Sequence, residues 1–528
     1  MRGTVRIEQG HLSGSSSTDG AVWSFKGIPY AKPPLGSLRW RPPEPMPFWD
    51  GVRPAKEFAA SPVQPRRVTS PLSYVPPAMS EDCLTLNVWT AARDPDERRP
   101  VMVWFYQGAQ VWGAASAPIC DGEALARVGV VVVTFAQRLG RIGNFAHPGL
   151  SDESEHGVSG NYGLLDQIAM LKWVQRNIAA FGGNPNNVTI FGQSAGSSNV
   201  SLLMASPLAK GLFHRGIAQS GGEFINTRPQ AGWSSVSALR DTEKDGVRLA
   251  EVLGARSVAD LRERSPADIM AVWSDEKPVN WRDGFPNPVF ICAYPNVDGY
   301  VIPEMGVRAV FERGMQNDVP LITGSNAIEG AGKIGARNLK EYNEMAKNTY
   351  GPLTERFLKT FPATTDDEAR EAWTLGIGDQ LFSWQNWTFA RLHARTSDYP
   401  VYYYRYRHIP PYPPGFEFPE GEGDPRKILG AFHGAEIQYV FRTLEKRDWP
   451  WQSEDRQVSN IISSYWMNFA KSGDPNGPGL PQWPRFDDAN ERTLFFDPVP
   501  SVGKAPDTDR LSFWDAHFGL VGQLDPAK

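Results

Sequence analysis

The stretch Val188-Thr189-Ile190-Phe191-Gly192-Gln193-Ser194-Ala195-Gly196 decides how this chain is read. Its first four residues are a short apolar run, as befits a strand buried on both faces, and the five that follow spell G-x-S-x-G. Residues 195–206 read as a helix, so the serine falls on a sharp turn from strand into helix. Such a turn needs small flanking residues, because the serine backbone is strained and its Oγ must project from the sheet edge. A helix that starts just after Ser194 also aims N–H groups and a positive dipole end at an oxyanion forming there. Ala195 N–H is the first such donor. A plain glycine turn has the same pattern, and a serine hydroxyl is weakly nucleophilic alone, so the reading requires a histidine base and an acid to orient it. The residues themselves leave that base open among eight histidines, with His433 not separable from His214 or His393.

Working outward, Val101–Tyr106 (VMVWFY) and Val128–Phe135 (VGVVVVTF) are two more continuous apolar runs that predict central strands. Leu164, Ile168, Leu171, Val174 and Ile178 recur at helical spacing between the second and third runs, and Phe181-Gly182-Gly183-Asn184-Pro185 supplies the stop. Strand, helix and strand in this order predict a crossover of a parallel sheet, hence an α/β protein. Beyond about residue 222 the pattern loosens. Helix-like stretches near 236–254 and 366–396 and a Pro/Gly-rich loop over Pro410–Pro425 carry no flexible linker, so the expectation is a single domain over 1–528 with insertions after about 222.

Composition narrows the function. The net charge is −5 and there is no Lys/Arg-rich block, which excludes a nucleic-acid footprint. The longest nearly apolar run, Val128–Ala136, is far short of the ~20 residues of a membrane helix, so no membrane span is expected. The start, MRGTVRIEQG, lacks the apolar core of a secretory signal, so the expectation is either an intracellular chain or one whose leader has been removed. Cys83, Cys120 and Cys292 are too few for a disulfide framework and lack metal-ligand spacing, so no metal site is expected and a reducing, cytoplasmic setting fits. Nothing in the sequence bears on oligomeric state.

The chain also resembles the type-B carboxylesterases, the cholinesterase-like family of the α/β-hydrolase superfamily. The resemblance rests on GIPYAKPPLGSLRW (27–40), EDCLTLNVW (81–89), GNYGLLDQ (160–167), WVQRNIAAFGGNP (173–185) and FGQSAG (191–196). It continues through GSNAIEG (324–330), FHGAEI (432–437) and FAKSGDPN (469–476). It implies an α/β-hydrolase fold: a large, mostly parallel twisted sheet flanked by helices, with insertions forming a lid over a gorge. It also implies Ser194 as nucleophile, Glu329 as acid and His433 as base, in the order that this fold imposes. Gly108, Ala109 and Ala195 align with the oxyanion-hole donors. The family's glycine run reads Tyr106-Gln107-Gly108-Ala109-Gln110 here, and Ala109 serves on this reading if its φ is negative. By resemblance Arg39 pairs with Glu81 and Arg138 with Asp166, Ser220 hydrogen-bonds the acid or its neighbours, and Cys83 is a buried thiol without its upstream partner.

Several departures from the family pattern bear on the substrate. Gln193 stands where a glutamate is usual, Ala136-Gln137-Arg138 replaces Asn-Tyr-Arg, and Asn144 replaces a phenylalanine. If Gln107, Gln110 and Gln193 face the pocket, it is neutral and hydrogen-bonding. Trp112, Trp384 and Trp387 are further candidates for its walls. The expected activity is hydrolysis of a small to medium, neutral polar or aromatic ester through an acyl-enzyme, with no cofactor. Carbamate or amide hydrolysis, acyl transfer, and a catalytically silent neuroligin-like binding protein are the alternatives.

Overall fold

The computed structural model describes residues 3–65, 72, 74–225, 237–270, 292–330, 336, 338–416 and 424–520. Of the loop expected over Pro410–Pro425, residues 417–423 lie outside the described residues, as does the first residue of the 236–254 stretch. Eleven strands form one sheet: β1 (Ser15–Ser16), β2 (Trp23–Pro29), β3 (Thr85–Thr90), β4 (Arg99–Phe105), β5 (Val131–Phe135), β6 (Gly183–Gln193), β7 (Arg215–Gln219), β8 (Leu321–Asn326), β9 (Val401–Tyr406), β10 (Arg492–Phe496) and β11 (Ser501–Lys504). Their order across the sheet is β11-β10-β9-β8-β7-β6-β4-β5-β3-β2-β1. Strands β4 to β10 run parallel, and the antiparallel pairings are confined to the two ends.

The apolar runs form central strands because both faces are covered. Val101, Val103 and Phe105 of β4 enter one core cluster, while Met102 and Trp104 enter the other. Strict alternation of this kind between two buried layers is what a continuous apolar run encodes. The segment Leu164–Ile178 forms helix α1 (Tyr162–Asn177), which tightens through Ile178–Phe181 and stops at Gly182 with φ +76°. The crossover from β5 through α1 to β6 is present, yet β4 lies between its two strands. Strand β6 is longer than its apolar run, because Gly183 pairs with Arg99 before a bulge that precedes Val188.

Helix α2 (Ala195–Ala205) follows β6 directly. Helix α3 (Leu239–Val252) occupies most of the first expected late stretch. The second is not one α-helix: α4 (Asp366–Gly378) passes through a π-helical turn, Asp379–Ser383, into α5 (Trp384–Thr396). No helix among the described residues is long and apolar enough to cross a membrane.

Two buried ion pairs tie the loops to the sheet. Arg39 Nε donates to Glu81 Oε1 at 2.6 Å, and Arg138 grips Asp166 through Nε at 2.9 Å and Nη2 at 2.7 Å with both side chains fully buried. Removing one member leaves the other charge buried without its partner. Asp166→Asn should therefore destabilise the protein by about 3–5 kcal/mol in urea unfolding. Breaking the exposed Lys32–Glu44 pair should change stability by less than about 1 kcal/mol.

Candidate active site

Ser194 sits between β6 and α2 at φ +57° and ψ −119°, a strained conformation for a residue with a side chain. The flanking glycines are dictated by space. A Cβ on Gly196 would lie 1.9 Å from the Phe105 carbonyl oxygen, and one on Gly192 would lie 2.5 Å from the Gly196 backbone. The turn is held from the other side by Ser194 N–H, which donates to Gln219 O at 2.9 Å, and by Ser197 Oγ, which donates to Gly221 O at 2.8 Å.

Glu329 follows β8 and is 4% exposed. One of its oxygens accepts the Asn326 N–H, and the other lies 2.6 Å from His433 Nδ1. A carboxylate can only accept, so this contact is made by the tautomer of a neutral imidazole that has its proton on Nδ1. Asn326 also fixes the histidine loop, since its Nδ2 donates to Phe432 O at 2.7 Å and to the buried Glu436 at 2.6 Å. The His433 ring packs on Phe382 with centroids 4.0 Å apart. Its Nε2 meets the Gln193 side-chain amide at 3.2 Å, whereas the Ser194 hydroxyl makes no hydrogen bond among the described residues.

The loop after β4 differs from its expectation. Ala109 has φ +51° rather than a negative φ, and Gln110 has φ +61°. The backbone keeps a path suited to glycine, and the two side chains bear a left-handed conformation costing roughly 1–2 kcal/mol each. Gly108 has no alternative, because a Cβ there would lie 1.9 Å from the Trp112 carbonyl oxygen. The N–H groups of Gly108 and Ala109 have no protein acceptor among the described residues.

Beside Ser194 opens a narrow cleft of about 30 Å³. Ala109, Gln110 and Ala195 line the side nearest the turn; Ser198, Glu223, Tyr294, Leu381 and Phe382 line the rest. Of the six expected pocket residues only Gln110 is in this lining, and its amide is engaged with Asn199 Oδ1 at 2.7 Å. Gln193 is buried against His433, and Gln107 keeps a buried Oε1 with no hydrogen-bond partner among the described residues. Trp112 packs against Val111 and Ala293. Trp384 and Trp387 are core residues instead of walls: their indole N–H groups donate to Asp515 at 2.8 Å and Glu491 at 2.9 Å, and Arg391 lies over the Trp387 ring. The lining also contains an acid, Glu223, which the expected set of glutamines and tryptophans did not include.

Two smaller expectations resolve in opposite ways. Cys83 is a free, buried thiol, and burial pushes its ionisation far up. Ser220 does not hydrogen-bond the acid: its Oγ is buried with no partner among the described residues, while its N–H donates to Gly324 O at 2.8 Å. The residues that sequence reasoning missed are Glu223, Ser198, Tyr294, Leu381 and Phe382. For Glu223 a signal existed, an acid in a Gly-Gly loop just past the carboxyl end of a central strand, where α/β sheets bind ligands. Leu381 and Phe382 come from the π-helical turn, which leaves no mark in the sequence.

Residues 2–514 match the Carboxylesterase family. The chain belongs to that family. It is 35% identical over 494 residues to fumonisin B1 esterase of Sphingopyxis macrogoltabida, covering 92% of this chain and 85% of that one. It is 33% identical over 521 residues to para-nitrobenzyl esterase of Bacillus subtilis (strain 168), covering 96% and 97%. A solved thermophilic PNB esterase superposes with a TM-score of 0.80 at 30% identity, covering 97% of this chain and all of that one. The fold is thus that of the α/β-hydrolases, and the protein is a type-B carboxylic ester hydrolase.

Two outcomes follow for this carboxylesterase-family site. Ala109→Gly should relieve left-handed strain and raise stability by about 0.5–1 kcal/mol, read as a higher urea midpoint. Burial pushes the Glu223 carboxyl up to about 8, against a smaller opposite pull from Ser198. A raised folded-state value means that the stability it contributes is fully present below the ordinary glutamate range and is lost as pH rises through about 8. Between pH 5 and 8.5 the unmodified protein should lose stability relative to Glu223→Gln by more than about 1 kcal/mol, measured by urea midpoints across that range.

Proposed function

We propose that Ser194 is the nucleophile, His433 its base and Glu329 the acid that orients the base, in hydrolysis of small to medium carboxylic esters through an acyl-enzyme. The observation carrying this reading is the 2.6 Å contact between His433 Nδ1 and Glu329 Oε2 beside a serine held at φ +57°. With the proton on Nδ1, the Nε2 lone pair is available to take the serine proton as Oγ attacks the acyl carbon. Glu329 stays ionised, supported by the Asn326 N–H, and stabilises the imidazolium.

The carbonyl oxygen, as it gains charge, is met by the N–H groups of Gly108 and Ala195, and by that of Ala109, whose positive φ, against the condition set on it, keeps the loop on a glycine-like path. Donors fixed before the reaction need no reorganisation when charge develops. His433 then hands its proton to the leaving alcohol, and a water molecule repeats the attack on the acyl-serine with the same histidine as base. Each step uses only protein groups, the substrate and that water molecule. For the first step the Ser194 hydroxyl must come within hydrogen-bond reach of Nε2, where the Gln193 amide now lies, 3.2 Å from Nε2 and 3.4 Å from Nδ1. The cleft walls Leu381 and Phe382 suit an apolar or aromatic portion of the ester.

Incubation with p-nitrophenyl acetate and a fluorophosphonate probe tests the assignment. The unmodified protein should turn over the ester and be labelled at Ser194, and Ser194→Ala should lose both. Glu329→Gln should keep the fold and lower kcat by about four orders of magnitude, because the imidazole is no longer held in the productive tautomer. Turnover retained in Ser194→Ala, or full activity in Glu329→Gln, would overturn the scheme.

A further inference from the structure

Glu223 takes no part in the chemistry above, yet it is placed with care. It is 6% exposed, lines the same cleft as Ser194, and its Oε2 is buried with no hydrogen-bond partner among the described residues. Its backbone is clamped on both sides. Gly221 N–H donates to Asn386 Oδ1 at 2.7 Å, and Phe224 N–H donates to Gln385 Oε1 at 2.9 Å. Gly221 is pressed so closely on the nucleophile turn that a Cβ there would lie 2.5 Å from Ser194 O. The backbone that carries the carboxyl is therefore held at a fixed place relative to the reacting serine.

We propose that Glu223 is the recognition group of this cleft, and that the enzyme takes esters bearing a primary ammonium group, which pairs with Glu223 while the ester carbonyl lies against Ser194. This rests on the hydrolase reading and deepens it. A buried carboxyl with an unused acceptor is costly to keep unless a ligand supplies a donor or a positive charge. A cation does both. The surroundings suit the rest of such a ligand: Phe382, Tyr294 and Leu381 also line the cleft and offer apolar contact to an alkyl stem. An N–H donor fits a lone carboxylate oxygen better than a quaternary ammonium, which has none to give.

A metal ion is a poor alternative, because no group of three metal-ligating side chains exists among the described residues. Tyr294 is the titratable group that faces Glu223, and among the described residues no charged side chain contributes to its ionisation. The ligand's own charge is then the counter-ion. Without one the carboxyl keeps its proton at neutral pH, held there by burial. Pairing with an ammonium releases that proton to the solvent.

Titration calorimetry at pH 7 with n-butylammonium chloride and with 1-butanol, on Ser194→Ala protein and on Ser194→Ala/Glu223→Gln protein, tests the assignment. Butylammonium should bind the first at least tenfold more tightly than butanol, and the advantage should vanish in the second. The heat of butylammonium binding should also vary with the ionisation enthalpy of the buffer, reporting the released proton. That arm needs no change at Glu223 and so stands even if the Gln variant folds poorly. Equal affinity for the two ligands, no detectable butylammonium binding, an ammonium preference that survives Glu223→Gln, or heats independent of buffer would each overturn the proposal. Fluorophosphonate labelling of the unmodified protein reports separately on the hydrolase reading: labelling without ammonium selectivity sinks this inference alone, and absent labelling sinks the catalytic scheme.

Discussion

The contact between the turn that carries Ser194 and the carbonyl end of β4 governs the rest of the site. With the Phe105 carbonyl oxygen 1.9 Å from where a Gly196 Cβ would sit, the two chains touch backbone to backbone. This proximity explains both glycines around the serine. It also brings the loop beginning at Tyr106 alongside the serine, so that Gly108 and Ala109 border the space in which Oγ would react. One steric demand therefore serves two parts of the site, and a methyl group at either glycine would separate them.

Three buried acids near this centre differ only in their partners. Glu329 has a backbone N–H and an imidazole, which suit an ionised carboxylate. Glu436 receives amides from Gln219 at 3.0 Å and Asn326 at 2.6 Å, with burial still pushing its ionisation upward. Glu223 has burial and little else, and its carboxyl is pushed up to about 8. Asn326 links the first two, and through Phe432 O it also holds the loop of His433, so the end of β8 sets both acid and base.

The parts legible in the sequence were those with a local physical cause. Continuous apolar runs gave the central strands, the 3.6-residue spacing gave α1, and the crowding at Gly192 and Gly196 is what a G-x-S-x-G encodes. Glu329 and His433 meet at 2.6 Å and Ser194 sits on the strained turn, at the positions the family pattern named, although residue types alone did not separate His433 from His393, which is fully buried against Val319 O at 2.8 Å. The pocket was read less well. Trp384 and Trp387 looked like wall material, but their direction depends on helix phase, and both turn into the core. Ala109 kept a backbone angle that its own side chain disfavours, because tertiary contacts outweigh a preference of roughly 1–2 kcal/mol.

The five-residue π turn between Gly378 and Trp384 has a bearing on how such a site diversifies. A wider turn takes in one extra residue, so everything beyond it is rotated by roughly 100° relative to an uninterrupted helix. Here that phase puts Phe382 on the imidazole and both following indoles into the interior. Loss of a single codon in this turn would swing a different set of side chains toward the cavity while leaving the sheet and its nucleophile untouched, a route to altered selectivity in one genetic step.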